Sequence, residues 1–149
     1  MKFPCLPVHD ELEIRSLFAR YGHWADAGDA RFVELFTPDA TWTRGNSPPA
    51  SLGGSGLPPE TIRGRERLGA LMVEVMQKKF CQRMHHQFTD FYVEPGEDAD
   101  DALGHARALI TDWRHGPGRI AMFGTYALRF RRTADGWRIC DATVRVLPD

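Results

Sequence analysis

ARYGHWADAGDARFVELFTPDATWTRG, residues 19–45, carries the chain from helix to sheet. Running into it from upstream, Ile14, Leu17, Phe18, Tyr21, Trp24 and Ala25 recur at i, i+3, i+4, i+7 spacing, which predicts a helix with one apolar face. Asp10-Glu11-Leu12-Glu13 has the form of a capping box at its start, and Gly28 is placed to end it. Asp29 then caps a short second helix with Phe32, Leu35 and Phe36 turned inward and Thr37-Pro38-Asp39 as its stop. Residues 40–44, β-branched and aromatic, read as a first strand.

Outward from this stretch the chain divides into a helical half and a strand half. Residues 46–59 hold four prolines and three glycines, the composition of a long loop or lid. A third helix is expected over 65–79, with Leu68, Leu71, Met72, Val75 and Met76 as a core stripe. From residue 83 the period becomes two. Strands are expected over 83–94, 102–114, 119–132 and 137–147, separated by an acidic tip at 97–101, by His115-Gly116-Pro117-Gly118 and by the hairpin signal Asp135-Gly136. On the third of these, Ile120, Met122, Gly124, Tyr126, Leu128 and Phe130 share a face. The expected fold class is α+β: three N-terminal helices packed on one face of a curved, mainly antiparallel sheet, a layout that tends to leave a cavity between the layers.

Composition narrows the function. At 149 residues a single domain spanning 1–149 is expected, 42% apolar and 26% charged, with acids and bases interspersed and a net charge of -1. That balance gives no electrostatic footprint for nucleic acid, and no apolar run approaches the ~20 residues that span a bilayer. With no apolar signal core near residue 1, a cytoplasmic location is expected. Cys5, Cys81 and Cys140 are scattered, with no zinc-like spacing, so neither metal nor cofactor is expected.

Several polar residues sit where packing should rule. Asp112 ends a strand face made of Ala106, Ala108 and Ile110, as a pocket carboxylate or as the wet end of the strand. His85 and His86 are adjacent on a strand and so point to opposite faces; one of them should face the helices, where an imidazole works as acid or base near neutral pH. Tyr21 lies on the apolar stripe and needs a partner for its hydroxyl. Asp26 stands ~140° from it around the helix, so the two line one pocket only at the helix's C-terminal end. By alternation, Arg145 shares a face with Trp137, Ile139, Asp141 and Thr143, lining a pocket or pairing at an interface.

RYGHWADAGDARFVELFTPDATW, IRGRERL, MHHQFTDFYVE and RRTADGWRI together resemble the SnoaL-like branch of the nuclear transport factor 2-like superfamily over nearly the whole chain, which implies a cone-shaped α+β barrel, three N-terminal helices packed in a strongly curved sheet around a central pocket. Within it the pattern resembles the bile acid 7α-dehydratase and scytalone dehydratase families. The first resemblance implies catalytic roles for Tyr21, Asp26, His86 or His85, Asp112 in ARALITD and Arg145 in TVRVL. Scytalone dehydratases match less well, with Ala25 where they carry a tyrosine. Steroid isomerases share Tyr21, but their base aspartate falls near Arg44. The expectation is a cofactor-independent lyase (dehydratase) working by His/Asp acid-base chemistry on a hydrophobic oxygenated ring compound such as a sterol or polyketide. The alternatives are a noncatalytic small-ligand-binding module and a polyketide cyclase or isomerase. A homodimer or homotrimer through the outer sheet face is expected by the same resemblance.

Overall fold

The computed structural model describes residues 3–45 and 58–147. In order they form helix α1 (Val8–Ala27), a 3-10 turn (Ala30–Leu35), β1 (Phe36–Arg44), β2 (Glu60–Arg63), α2 (Arg65–Met72) running into a π-helix (Val73–Lys79), then β3 (Met84–Pro95), β4 (Asp101–Asp112), β5 (Arg119–Thr133) and β6 (Gly136–Leu147). The loop expected over 46–59 lies, except for Pro58 and Pro59, outside the described residues.

All six strands join one curled, unclosed sheet in the order β2-β1-β6-β5-β4-β3. The expected antiparallel meander is present as β3 through β6; β1 adds to it parallel to β6, and β2, not anticipated, pairs antiparallel with β1. The helices pack inside the curve. Ile14, Phe18, Tyr21 and Ala25 of α1 meet Phe36, Trp42, Tyr126, Leu128, Phe130 and Trp137 in one core. Among the described residues no helix is long and apolar enough to cross a membrane.

Helix α1 ends as expected, at a left-handed Gly28 (φ 62°) whose backbone N–H returns to Ala25. Its start differs from the expected capping box. Asp10 is not the N-cap, because the helix begins at Val8 behind Pro7 and has no side-chain cap. Both acids of the box serve the β5–β6 hairpin instead. Asp10, 1% exposed, accepts from Trp137 Nε1 (3.1 Å) and Arg132 Nη2 (2.6 Å), and Glu13 accepts from the Trp137 backbone N–H (2.8 Å). Buried donors on the hairpin outcompete exposed donors of the first helical turn, which water satisfies. Similarly, Asp101 at the acidic tip is buried against Arg129 Nε (2.8 Å) rather than solvated.

Bulges reset which residues face inward, in β3 between Thr89 and Tyr92 and in both β5 and β6. In β6, Ile139 pairs with Phe130 and Asp141 with Arg129, so Cys140 is an extra residue. Trp137 and Ile139 are buried before it and Ala142, Val144 and Val146 after it. In β5, Ala121 is the extra residue, and Ile120 is 67% exposed instead of sharing the inner face.

Candidate active site

The inner cavity lies between α2 with its π-helix and the inner face of the sheet. It encloses about 90 Å³, lined by Tyr21, Trp42, Arg44, Leu71, Met72, Val75, Met76, Phe80, Met84, His86, Ile110, Met122, Tyr126 and Val144. The walls are mostly apolar, with hydroxyls, an imidazole and one guanidinium among them. Four of the lining residues are methionines, whose unbranched side chains repack readily around a guest.

Of the two histidines, His86 faces inward and lines this cavity; His85, 49% exposed, points out. Nδ1 of His86 lies 2.5 Å from Asp26 Oδ1, and the His86 backbone N–H donates to Asp26 Oδ2 at 2.8 Å. A carboxylate accepts only, so Nδ1 carries the proton of that contact, and in the neutral ring Nε2 is left with the lone pair. The ring also stacks on Phe88, centroids 5.7 Å apart.

Local structure brings the acid to the ring. Gly22 lets α1 approach the edge strand β3: a Cβ there would stand 3.1 Å from the Phe88 ring. The carbonyls left open at the end of α1 are filled by side chains from the segment that follows α2. Gln77 Nε2 donates to Gly28 O (2.6 Å) and Gln82 Nε2 to Ala27 O (2.8 Å). Asp26 is thus held one residue before a helix end pinned from outside.

The ~140° between Tyr21 and Asp26 is resolved by using both sides of His86. Tyr21 lines the inner cavity. Asp26 lines a second, outer cavity of about 360 Å³ with Ala19, Gly22, His23, His85 and Phe88, and His86 forms part of both. Asp26 reaches both histidines because β3 is the sheet edge; His85 Nδ1 stands 3.8 Å from Asp26 Oδ2.

Tyr21 is 2% exposed, and its hydroxyl accepts from Trp42 Nε1 at 3.1 Å. Burial, chiefly, pushes its pKa up to about 12, with Trp42 and Tyr126 opposing and the Asp26 charge adding. Tyr126, whose ring centroid lies 5.9 Å from that of Tyr21, is likewise raised, chiefly by burial and then by Tyr21. Both phenols are held protonated as donors.

Asp112 and Arg145 are not brought to this site. Asp112 is buried on the expected face, but it lies one step beyond Ile110, where the cavity ends. There Arg114 Nη2 (2.8 Å) and Arg119 Nη2 (3.3 Å) bind it and hold its carboxyl far below the usual range. The Cys140 bulge turns Arg145 to the outer face, beside Tyr92, His105 and Arg107. A strand read by strict alternation misses one inserted residue and so inverts every assignment beyond it.

The cavity also takes in Trp42, Arg44 and Tyr126, which the resemblance does not mark as site residues. Ala40, Trp42 and Arg44 alternate on the inner face of β1, a signal present in the sequence. Arg44 is mostly buried; its Nη2 donates to Pro58 O (2.8 Å) and meets Glu60 Oε2 at 3.4 Å. Its Nε is buried with no hydrogen-bond partner among the described residues. Among the described residues no group of three His, Cys, Asp or Glu is arranged to hold a metal.

The SnoaL-like domain family matches residues 7–143. Comparison with curated proteins found no significant match. Among solved structures the chain is similar to a nuclear transport factor 2-like protein with a cystatin-like fold from Novosphingobium aromaticivorans, at 25% identity and TM-score 0.77, over 95% of this chain and 84% of that one. It is also similar to the protein Kfla4162 from Kribbella flavida, at 27% identity and TM-score 0.69, over 93% and 91%. Aln2 from a Streptomyces species shares the fold at 18% identity and TM-score 0.75, over 97% and 94%. With residues 7–143 matched and the curled sheet and its pocket in place, the chain belongs to the SnoaL-like domain family of the nuclear transport factor 2-like superfamily.

Proposed function

We propose that this chain is a cofactor-independent lyase that removes water from a hydrophobic ring compound bearing a hydroxyl β, or vinylogous, to a carbonyl. The observation that carries the reading is His86: one ring nitrogen is anchored by Asp26, and the ring forms part of an apolar cavity where Tyr21 and Tyr126 supply phenols. Nε2 of His86 takes the proton next to the carbonyl, and Asp26 stabilises the imidazolium that forms. A phenol donates to the carbonyl oxygen as it becomes an enolate. The imidazolium then returns the proton to the departing hydroxyl, giving an unsaturated ketone and water.

The cavity bounds the substrate. At about 90 Å³ it is smaller than the ~150 Å³ apolar cavity that holds a benzene. Even a compact single ring therefore enters only as Met72, Met76, Met84 and Met122 repack, and a sterol or larger polyketide asks for a much larger displacement of the same side chains. Outside, Tyr92 and Phe123 stand exposed on the outer sheet face, which supports assembly as a homodimer or homotrimer.

The test is elimination from a panel of β-hydroxy cyclic ketones, followed by the rise of enone absorbance, for the native protein and His86→Ala. Turnover that His86→Ala abolishes, with ligand binding retained, supports the lyase. Ligand binding without turnover in the native protein rejects it in favour of a noncatalytic binding module.

A further inference from the structure

We propose that Arg44 makes the inner cavity selective for a ring compound carrying an oxyanion, a carboxylate or an ionised enol or phenol. The inference rests on the reading of this cavity as the substrate site and adds the charge of what enters it. Arg44 carries the one permanent charge among the described lining residues. Its side chain is 11% exposed, and burial is the main influence on the guanidinium, opposed by Glu60. Its counter-ion is loose: Glu60 stands 3.4 Å from Nη2 and is itself 40% exposed, so water screens it.

The donors of Arg44 are unequally used. Nη2 serves Pro58 O and Glu60, while Nε is sealed from solvent with no acceptor among the described residues. Tethering the chain at Pro58 would need Nη2 alone and would not offset the buried N–H, which costs free energy when unpaired. An oxyanion in the cavity beside Arg44 supplies the close counter-charge that Glu60, 3.4 Å away and 40% exposed, gives only weakly. Tyr21 and Tyr126, protonated on the same wall, add neutral donors that favour an oxyanion over a cation. In walls this apolar, a guanidinium–oxyanion contact is worth far more than in water.

The probe is 4-nitrophenol, whose colour reports whether the bound molecule is phenol or phenolate, with benzoate and benzamide as charged and neutral competitors of similar size. Near neutral pH the native protein is expected to bind the phenolate on the order of tenfold or more in preference to the phenol. Benzoate should displace it and benzamide should not. Arg44→Met should abolish the preference, Arg44→Lys should keep part of it, and Glu60→Gln, by removing the counter-ion, should strengthen phenolate binding severalfold. Circular dichroism of each variant checks folding. His86→Asn should keep the preference, so loss of the lyase reading and loss of this one are separable. Bound dye in the neutral form, no binding at millimolar concentration, or a preference that survives in Arg44→Met would each overturn the proposal.

Discussion

Asp26→Asn changes one atom of the site and separates geometry from chemistry. The native carboxylate takes two hydrogen bonds from one residue, Nδ1–H of His86 at 2.5 Å and the His86 backbone N–H at 2.8 Å. Asparagine keeps an oxygen for the backbone N–H but presents an NH₂ to Nδ1. The ring answers by moving its proton to Nε2 and so becomes a donor at the nitrogen that the proposed mechanism uses as a base. Folding should change by about 1 kcal/mol, the difference between a charged and a neutral hydrogen bond. Turnover should fall by the whole acid-base share, on the order of 10²–10⁴. Asp26→Ala should be the less stable variant by a further ~1–3 kcal/mol, because it leaves a part-buried backbone N–H unpaired. The assay pairs urea denaturation with long-range ¹H–¹⁵N correlation of the His86 ring, which shows the protonated nitrogen without any substrate. A native ring protonated only on Nε2, or an Asn variant still protonated on Nδ1, would refute the reasoning.

Tyr21→Phe should cut kcat about 10- to 100-fold at little change in KM, and cost ~1–2 kcal/mol because Trp42 Nε1–H loses its acceptor. Since the Tyr21 pKa is about 12, the native pH–rate profile should show no tyrosine limb below about pH 11. Asp10→Ala should cost about 2–4 kcal/mol in chemical denaturation, because Trp137 Nε1 is left unpaired in the core and Arg132 loses its shortest partner. The folded-state pKa values of Asp10, Asp101 and Asp112 are all lowered, so their stabilisation is complete above the unfolded value near 4 and is lost as pH falls below it. Acid melts should therefore steepen below about pH 4, and less so in Asp10→Ala; equal steepness would count against the assignment. Asp112→Asn should lower stability by about 1–2 kcal/mol, and Arg145→Ala by less. Both should leave 4-nitrophenol affinity unchanged, and a tenfold loss in either would return that residue to the site.

What the amino-acid order determined by itself is the set of elements and their succession. The 3.6-residue stripe from Ile14 to Ala25, the left-handed stop at Gly28, the Asp29 cap and the Asp135-Gly136 hairpin are local signals, and each forms where it was read. The helix over 65–79 also stands, but its second half is a π-helix, a local widening that apolar spacing does not specify. Tyr21, Asp26 and a histidine of the pair 85–86 were legible as candidates for the same reason: their types conflict with a plain packing surface.

Only the tertiary structure decided which of these meet. The choice of His86 over His85 depends on the register of β3 against β4 and on where α1 crosses that edge. The placing of Asp112 depends on the depth at which the cavity ends, and that of Arg145 on one extra residue at Cys140. The partners of Asp10 and Glu13 lie more than a hundred residues away, on a hairpin whose position no local pattern encodes. Arg44 is visible on an alternating face of β1, yet that its buried Nε meets no acceptor among the described residues is a property of the packed interior. Local periodicity sets the shape of each element. Which side chains share a cavity follows from long-range register, where a single bulge reverses a strand.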